Sequence, residues 1–279
     1  MTPPALRGIR AAFIFMSRIP LGGFPYSKDD FRWAPAHFPF VGLCIGVLGA
    51  LPFFLVPVLG APLCAALSLA LTIWTTGAFH EDGLADSADA LGGAHSRKKL
   101  HEILKDSRIG TYGASALILS LVIRIFALVE IARLLSDVSL LSSFLDFAHT
   151  PPSIAFQLIV VLAFIHALAR TGPVALMTTL PYVAGEGAKG SSIAKGGQLP
   201  QFVVALFWAA LACIGAALGG VALTLLFSQL LLTIVISLWM RLWFKKRAGG
   251  FTGDFLGATE QVLEMVLLLC TVAYLKTHA

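Results

Sequence analysis

The chain has 279 residues, of which 57% are hydrophobic and only 13% are charged, and its mean hydropathy is +0.85. Soluble domains are about half apolar and about a quarter charged, so this composition excludes an ordinary soluble protein. Apolar segments run almost from end to end and leave no room for a separate soluble unit, so we expect a single membrane-embedded domain over residues 1–279. The net charge of +5 is a topology signal, and we expect no nucleic-acid partner.

The N-terminal segment places Arg7 and Arg10 before a short apolar run, 11–16, which Arg18 and Pro20 end. That run is too short to cross a bilayer. Because no small-residue cleavage site follows it, we do not expect a removable signal peptide. An interfacial amphipathic helix fits this pattern better.

Stretches of about 20 mostly apolar residues, the length that a transmembrane helix needs, follow along the chain. The predicted fold class is therefore all-α, a polytopic helical membrane bundle of about seven transmembrane helices with short interfacial helices. The four cysteines each lie alone in an apolar segment without a CxxC pair, so we expect small core residues. The predicted spans are roughly 37–58, 62–79, 113–134, 153–178, 201–219, 222–243 and 260–276, and the cysteines are Cys44, Cys64, Cys213 and Cys270.

Lys and Arg concentrate in a few of the connecting segments. Following the spans in order puts four basic groups on one side of the membrane, while the opposite loops carry no Lys or Arg. By the positive-inside rule, the basic side is cytoplasmic. The basic groups lie at 7–18, 97–108, 189–195 and 241–247, Lys276 stands apart, and the opposite loops are 59–61, 135–152 and 220–221.

An acidic segment, GAFHEDGLADSAD at 77–89, leaves the second predicted span on the cytoplasmic side. Asp82, Asp86 and Asp89 are spaced i, i+4 and i+7, so a helix would place them on one face. Like charges at that spacing repel, and a divalent cation would offset them, with oxygen ligands favouring Mg²⁺ or Mn²⁺. A solvated acidic face is the alternative, although ionisable residues at a membrane edge are costly and so favour a function.

The pair of residues that precedes Asp82 resembles the start of a zinc-protease motif. His80 and Glu81 match its first two positions, but Leu84 occupies the place of the second His. Metalloprotease chemistry therefore has no support. His80 alone fits a structural role as well as a catalytic one, and Gly83 would let a bulky ligand approach the backbone closely.

The next segment combines cations with a helix start. Ser96 is predicted to cap a short amphipathic helix, and the turn DSRIGTYG at 106–113 then leads into the third span. Arg108, the hydroxyls of Ser107 and Thr111, and backbone N–H groups would meet at that helix N-terminus, where anions bind. Carboxylates for a metal followed by such cations suit phosphoryl transfer, and anchoring on anionic lipid is the alternative for the basic residues.

Two glycine-rich segments carry weaker signals. The loop GEGAKGSS at 185–192 lacks the spacing of a phosphate-binding loop, and no strand precedes it. The segment GGFTGDFLGATEQ at 249–261 puts Thr252 and Asp254 among glycines on the basic side, where Asp254 could complete the metal site or hold the substrate. A helix-entry turn capped by Thr259 is the alternative.

At these motifs the sequence resembles the cobalamin synthase family, also called adenosylcobinamide-GDP ribazoletransferase. The combination of EDGLAD with DSRIGTYG at this separation is the specific part of the likeness. The similarity spans nearly the whole chain, through FMSRIP at 15–20, HFPFVG at 37–42, FHEDGLADSAD at 79–89, KDSRIGTYG at 105–113, ARTGP at 169–173 and GGFTGDFLGATEQ at 249–261.

The resemblance implies a Mg²⁺-dependent transferase of the bacterial cytoplasmic (inner) membrane, with its active site on the cytoplasmic side. In the implied reaction, the last assembly step of the cobalamin nucleotide loop, the 3′-hydroxyl of α-ribazole or of its 5′-phosphate attacks the cobinamide-linked phosphorus of adenosylcobinamide-GDP, and GMP leaves. The expected partners are these small molecules and the bilayer, and a homo-oligomer is left open.

Carried onto this chain, the resemblance implies a role for each matching residue. Asp82, Asp86 and Asp89, with Glu81, would hold Mg²⁺ on the diphosphate. Lys105 and Arg108 would stabilise charge on the transferring group and on GMP, and His80 or Glu81 would deprotonate the hydroxyl. The residues expected to bind substrate are Asp106, Ser107, Thr111, Thr252 and Asp254.

Two other classes of protein compete with this interpretation. A CDP-alcohol phosphotransferase is the nearest enzyme, because the run 82–86 loosely fits that family's opening motif, but Asp86 stands where the family has an Arg. A transporter is the alternative from a different class, with Arg124, Arg170 and Glu264 as buried charges that line a path.

Overall fold

The fold is a bundle of helices in a computed structural model that describes residues 3–21, 27–137, 154–184, 191–194 and 197–278. Six helical segments in this described part are long and apolar enough to cross a bilayer, which confirms the predicted all-α polytopic class. The helices are α1 (Pro4–Met16), α2 (Lys28–Trp33), α3 (Phe38–Ala50), α4 (Val56–Thr76), α5 (Phe79–Gly93), α6 (Arg97–Ile103), α7 (Thr111–Asp137), α8 (Ile154–Thr179), α9 (Ser191–Ala194), α10 (Leu199–Leu218), α11 (Leu223–Ala248) and α12 (Gly253–His278).

The first candidate span, Asp29–Thr76, joins two spans that the sequence predicts separately. A continuous helix of its 48 residues would be about 72 Å long, far beyond the roughly 30 Å of a hydrocarbon core. The chain instead breaks at Gly60, whose φ of +73° is not helical, and α3 packs against α4 with Gly49 beside Thr72. The segment therefore folds back on itself, as two predicted spans require.

Segments that carry the predicted basic groups meet at one end of the bundle, which we call the basic end. The Arg97 guanidinium donates to the backbone oxygen of Lys246 at 3.4 Å, and Arg32 donates to Gln198 at 2.6 Å. The N-terminal helices, the segment around α6, the start of α10 and the end of α11 therefore lie on one side. Of the predicted Gly-rich loop, residues 185–190 and 195–196 lie outside the described residues.

Helices α7 and α12 run in the same direction, away from the basic end. Ser120 donates to Gln261 at 3.4 Å in the nearer half of the pair. Towards the far ends, the Lys276 ammonium lies 2.8 Å from a Glu130 carboxylate oxygen. Lys276, which the sequence sets apart from the other basic residues, therefore lies at the opposite end of the bundle.

Helix α5 carries the acidic motif, and it lies inside the bundle. Gly77 (φ 70°) and Ala78 (φ 59°) are both left-handed, so the chain turns sharply after α4 before α5 starts. Helix α5 then packs against α7 and α12, and a Cβ at Gly83 would come within 2.8 Å of the Asp254 backbone oxygen. The space beside Gly83, where the sequence predicts the approach of a bulky ligand, is thus occupied by α12.

Candidate functional site

Four carboxylates, which we call the acidic mouth, gather where α5 meets the start of α12: Asp82, Asp86, Asp89 and Asp254. Asp82 is exposed and the other three are half-buried. Partial burial, together with the charges of Asp82, Asp254 and Asp89, raises the pKa of Asp86 to about 6. The three aspartates of α5 therefore share one electrostatic environment, and Asp254 from the distant motif joins them.

Asp89 has a second set of partners. Its Oδ2 accepts a hydrogen bond from the Gly110 N–H at 2.7 Å, and its Oδ1 accepts one from the Gly113 N–H at 2.8 Å. A Cβ at either glycine would collide with this carboxylate. The helix N-terminus predicted as an anion site for substrate thus holds an anion of the chain itself, and Asp89 ties the DSRIGTYG turn to α5.

The basic residues of that turn lie at the surface. Arg108 is exposed over 87% of its side chain and pairs with Asp106 at 2.7 Å, and hydrogen bonds from Arg108 lower the pKa of Asp106 to about 2. Lys105, Ser107 and Thr111 are exposed as well. Within the described residues, no hydrogen bond or ion pair joins Arg108 or Lys105 to the acidic mouth.

Thr252 directly precedes α12 and orients Asp254. Its hydroxyl oxygen accepts from the Phe255 N–H at 3.3 Å, as a helix cap does, and its hydroxyl donates to Asp254 Oδ2 at 3.3 Å. Thr259 lies inside the helix and donates to the Phe255 backbone oxygen at 2.7 Å. The helix-entry turn considered from the sequence exists, but Thr252 is its cap and Thr259 is not.

Glu81 lies apart from the aspartates, in what we call the buried ion network. Arg124 Nη1 donates to Glu81 Oε1 at 2.9 Å, and Arg124 Nη2 lies 2.7 Å from a Glu264 oxygen. Gln261 donates to the same Glu81 oxygen at 3.3 Å. Because the Arg124 side chain is only 2% exposed, Glu81 serves here as a buried ion-pair partner that joins α5 to α7 and α12.

The network continues onto α8. Arg170 Nη1 lies 2.8 Å from Glu260 Oε1, and His166 Nδ1 lies 3.5 Å from Glu264 Oε2. Across the described residues, His166, Glu260 and Glu264 are the only three potential metal-binding residues with ligand atoms within 4.8 Å of one another. The carboxylates of the acidic mouth are spread more widely than that.

Sequence reasoning singled out Arg124, Arg170 and Glu264 as buried charges, and the structure pairs them with acidic or basic partners. It missed His166 and Glu260. Both could have been found from their spacing. His166 lies four residues before Arg170 and Glu260 lies four residues before Glu264, and this spacing puts each pair on one helix face.

A cavity that opens to solvent, with about 540 Å³ of empty volume including its open mouth, is lined by Arg170 and Glu260 of the buried ion network and by residues next to Asp254 in sequence. We call it the aromatic cavity. Gly253 and Gly257, on either side of Asp254 in sequence, form part of its wall. Its aromatic lining is Phe15, Phe38, Phe79, Tyr182 and Phe251, and its polar lining is His80, Arg170 and Glu260.

His80 is the titratable residue of α5 that reaches this cavity. It is 3% exposed, and burial followed by the charges of Arg170 and Arg124 holds its pKa well below the usual value. The imidazole is therefore in its neutral form near pH 7, and its lowered pKa makes it a weaker base than an exposed histidine.

Fold and site together define a polytopic helical membrane protein with a carboxylate cluster beside an apolar, aromatic cavity at its basic end. The chain belongs to the cobalamin-5-phosphate synthase family, whose model matches residues 8–272. No solved structure matches the chain.

Three curated relatives, each called adenosylcobinamide-GDP ribazoletransferase, are similar over almost their full lengths. The protein of Leptothrix cholodnii is 37% identical, with 92% of both chains covered. The protein of Polaromonas sp. is 39% identical, covering 91% of this chain and 92% of the relative. The protein of Vibrio cholerae is 34% identical, covering 95% of this chain and 93% of the relative.

Proposed function

We propose that this protein joins α-ribazole, or its 5′-phosphate, to adenosylcobinamide-GDP with release of GMP, at the cytoplasmic face of a bacterial inner membrane. The observation that carries the proposal is the acidic mouth, because it brings the two motifs of the family together from α5 and α12. Family membership and the names of the relatives support the reaction. The side is supported by the clustering of Lys and Arg at the basic end.

The acidic mouth fits a hard divalent cation. Its donors are all carboxylate oxygens, which suit Mg²⁺. Burial, followed by repulsion from the neighbouring carboxylates, raises the pKa of Asp86 to about 6, and a bound cation would offset that repulsion. Asp82, Asp86 and Asp254 would hold the ion, which would neutralise charge on a substrate diphosphate. Asp89 would position the DSRIGTYG turn beside it, since both its oxygens accept from that turn.

The remaining groups act on substrate in this proposal. His80, neutral and in the cavity wall, is the candidate to accept the proton of the attacking hydroxyl. Arg108, which pairs with Asp106 at the surface, would exchange that partner for a phosphate oxygen, with Lys105 beside it. Glu81, bound to Arg124, holds α5 in place.

The test is GMP release by the purified full chain in lipid nanodiscs, given Mg²⁺, adenosylcobinamide-GDP and α-ribazole. We expect turnover by the wild type and none by Asp82→Asn, with that variant still inserted and folded. Asp29→Asn, at an exposed position on α2, is the matched control and should turn over normally. No GMP from the wild type refutes the reaction, and near-normal release by Asp82→Asn refutes the metal role.

A further inference from the structure

The aromatic cavity presents flat apolar faces from two groups of aromatic side chains. Phe15 of α1 packs edge-on against Phe79 of α5 with ring centroids 5.0 Å apart, and it stacks on Phe38 at 6.0 Å. Tyr182 and Phe251, from the segments after α8 and α11, have centroids 5.4 Å apart. Aromatic walls of this kind favour a planar ring, which gains offset-stacked and edge-on contacts that an aliphatic chain does not.

The polar part of the lining can recognise one acceptor atom. The Arg170 side chain is 2% exposed, yet its Nε has no hydrogen-bond partner among the described residues. A buried donor without a partner is costly. Because Arg170 lines the cavity, a ligand with a ring nitrogen or another single acceptor could satisfy that donor.

The aromatic lining of the cavity discriminates among the groups that the proposed reaction involves. Guanine carries donors and acceptors around most of its edge, and the five aromatic side chains of the lining would leave most of them unpaired. A methylated benzimidazole is flat and apolar and has one free ring nitrogen, so it matches both the aromatic faces and the Arg170 donor.

The cavity also adjoins the place where the chemistry would occur. Tyr182 lines it, and burial together with the charge of Asp254 raises the pKa of the Tyr182 hydroxyl. Gly253 lines it as well and directly precedes Asp254. An aromatic base held between these walls would leave its attached ribose at the acidic mouth.

We propose that the aromatic cavity binds the benzimidazole base of the nucleoside acceptor, with Phe79 as a stacking face and Arg170 as donor to the ring nitrogen. This inference rests on the proposed function, because that function supplies the nucleoside. It assigns the cavity to the acceptor and leaves the GDP-linked donor to other surfaces.

Two pairs of variants test the assignment in the full chain in nanodiscs. Phe79 is 38% exposed, and its control Phe126, on α7, is 69% exposed, so neither alanine variant should unfold the protein. Gly253 and its control Gly215, on α10, both have open space where a Cβ would lie. Phe79→Ala removes a wall and Gly253→Val narrows the cavity, while Phe126→Ala and Gly215→Val change surfaces elsewhere.

The readouts are equilibrium binding of α-ribazole alone and steady-state kinetics with both substrates. We expect Phe79→Ala and Gly253→Val to weaken binding, or to raise KM for α-ribazole, by about tenfold, equivalent to about 1.4 kcal/mol. KM for adenosylcobinamide-GDP should stay near the wild-type value, and both control variants should match the wild type. Asp82→Asn should still bind α-ribazole although it does not turn over.

Three outcomes would overturn the assignment, and a fourth would separate it from the proposed function. Unchanged KM and binding for α-ribazole in both cavity variants would refute it, as would an effect confined to adenosylcobinamide-GDP. If a lipid co-purifies with the wild type and α-ribazole does not displace it, the cavity belongs to an acyl chain. If the wild type binds α-ribazole through these walls yet releases no GMP, the proposed function fails while the cavity assignment stands.

Discussion

Replacing Arg124 with leucine should destabilise the bundle strongly, because this guanidinium is the shared partner of two buried carboxylates. Its Nη1 donates to Glu81 and Gln261, both at 2.9 Å, and its Nε donates to Glu264 at 2.8 Å. Removing one partner of a buried ion pair costs about 3–5 kcal/mol, since the remaining charge stays buried and unpaired. We expect Arg124→Leu to reach the upper part of that range.

Two companion variants separate charge from geometry. Arg124→Lys keeps the positive charge but loses the planar fork that serves three acceptors, so it should fall between wild type and leucine. Adding Glu81→Gln and Glu264→Gln to Arg124→Leu removes the unpaired charges and should recover most of the lost stability, because neutral amides cost less to bury.

The assay is thermal unfolding in nanodiscs, followed by intrinsic tryptophan fluorescence. At about 2–4 °C for each kcal/mol in a chain of this size, the leucine variant should unfold roughly 10–20 °C below wild type. Exposed Arg133, which pairs with Glu130 on the same helix, gives the matched control, and Arg133→Leu should shift the midpoint by no more than about 4 °C. Equal shifts for the two leucine variants would refute the argument, as would no recovery in the triple variant.

Three further predictions concern the acidic mouth. Because the pKa of Asp86 is raised to about 6, protons should compete with Mn²⁺ for this carboxylate. The affinity for Mn²⁺, measured by electron paramagnetic resonance, should therefore rise between pH 5 and 7. An equal rise in Asp86→Asn would contradict this. Asp89→Asn should lower the free energy of unfolding by about 1–3 kcal/mol and speed amide hydrogen exchange at the start of α7. Asp106→Asn, which loses only an exposed ion pair, should do neither. Unchanged exchange protection at the start of α7 in Asp89→Asn would contradict the positioning role of Asp89. Gly83→Ala should lower the free energy of unfolding by about 1–3 kcal/mol, because the added methyl group forces α12 away from α5. Gly215→Ala is the control and should behave as the wild type. Normal turnover and stability in Gly83→Ala would show that the contact is dispensable.

Much of the architecture could be predicted from the sequence because its signal is one-dimensional. Apolar runs of bilayer length mark the spans, and Lys and Arg mark the segments that meet at the basic end. Local chemistry was also readable, as Ser96 shows: its side chain accepts from the Lys99 N–H at 3.2 Å and caps α6 as predicted.

The arrangement of the site was less accessible because it depends on tertiary contacts. Nothing in the acidic motif distinguishes Asp82, which is exposed, from Asp89, which binds two backbone N–H groups of a turn 21 and 24 residues further on. Likewise, the sequence placed Glu81 among the metal-binding carboxylates, whereas the structure pairs it with Arg124. Only the packing of α5 between α7 and α12 separates these roles.

The contact between α5 and α12 has a consequence for biosynthesis. Glu81 and Gln261, which share a hydrogen bond, are 180 residues apart, so a ribosome that adds about 5–20 residues per second needs roughly 10–40 seconds to produce the second after the first. During that interval the face of α5 around Gly83, which packs against α12 in the finished protein, has no partner helix. A chain that stops before α12 would lack Asp254 of the acidic mouth and would leave Arg124 without Gln261 and Glu264.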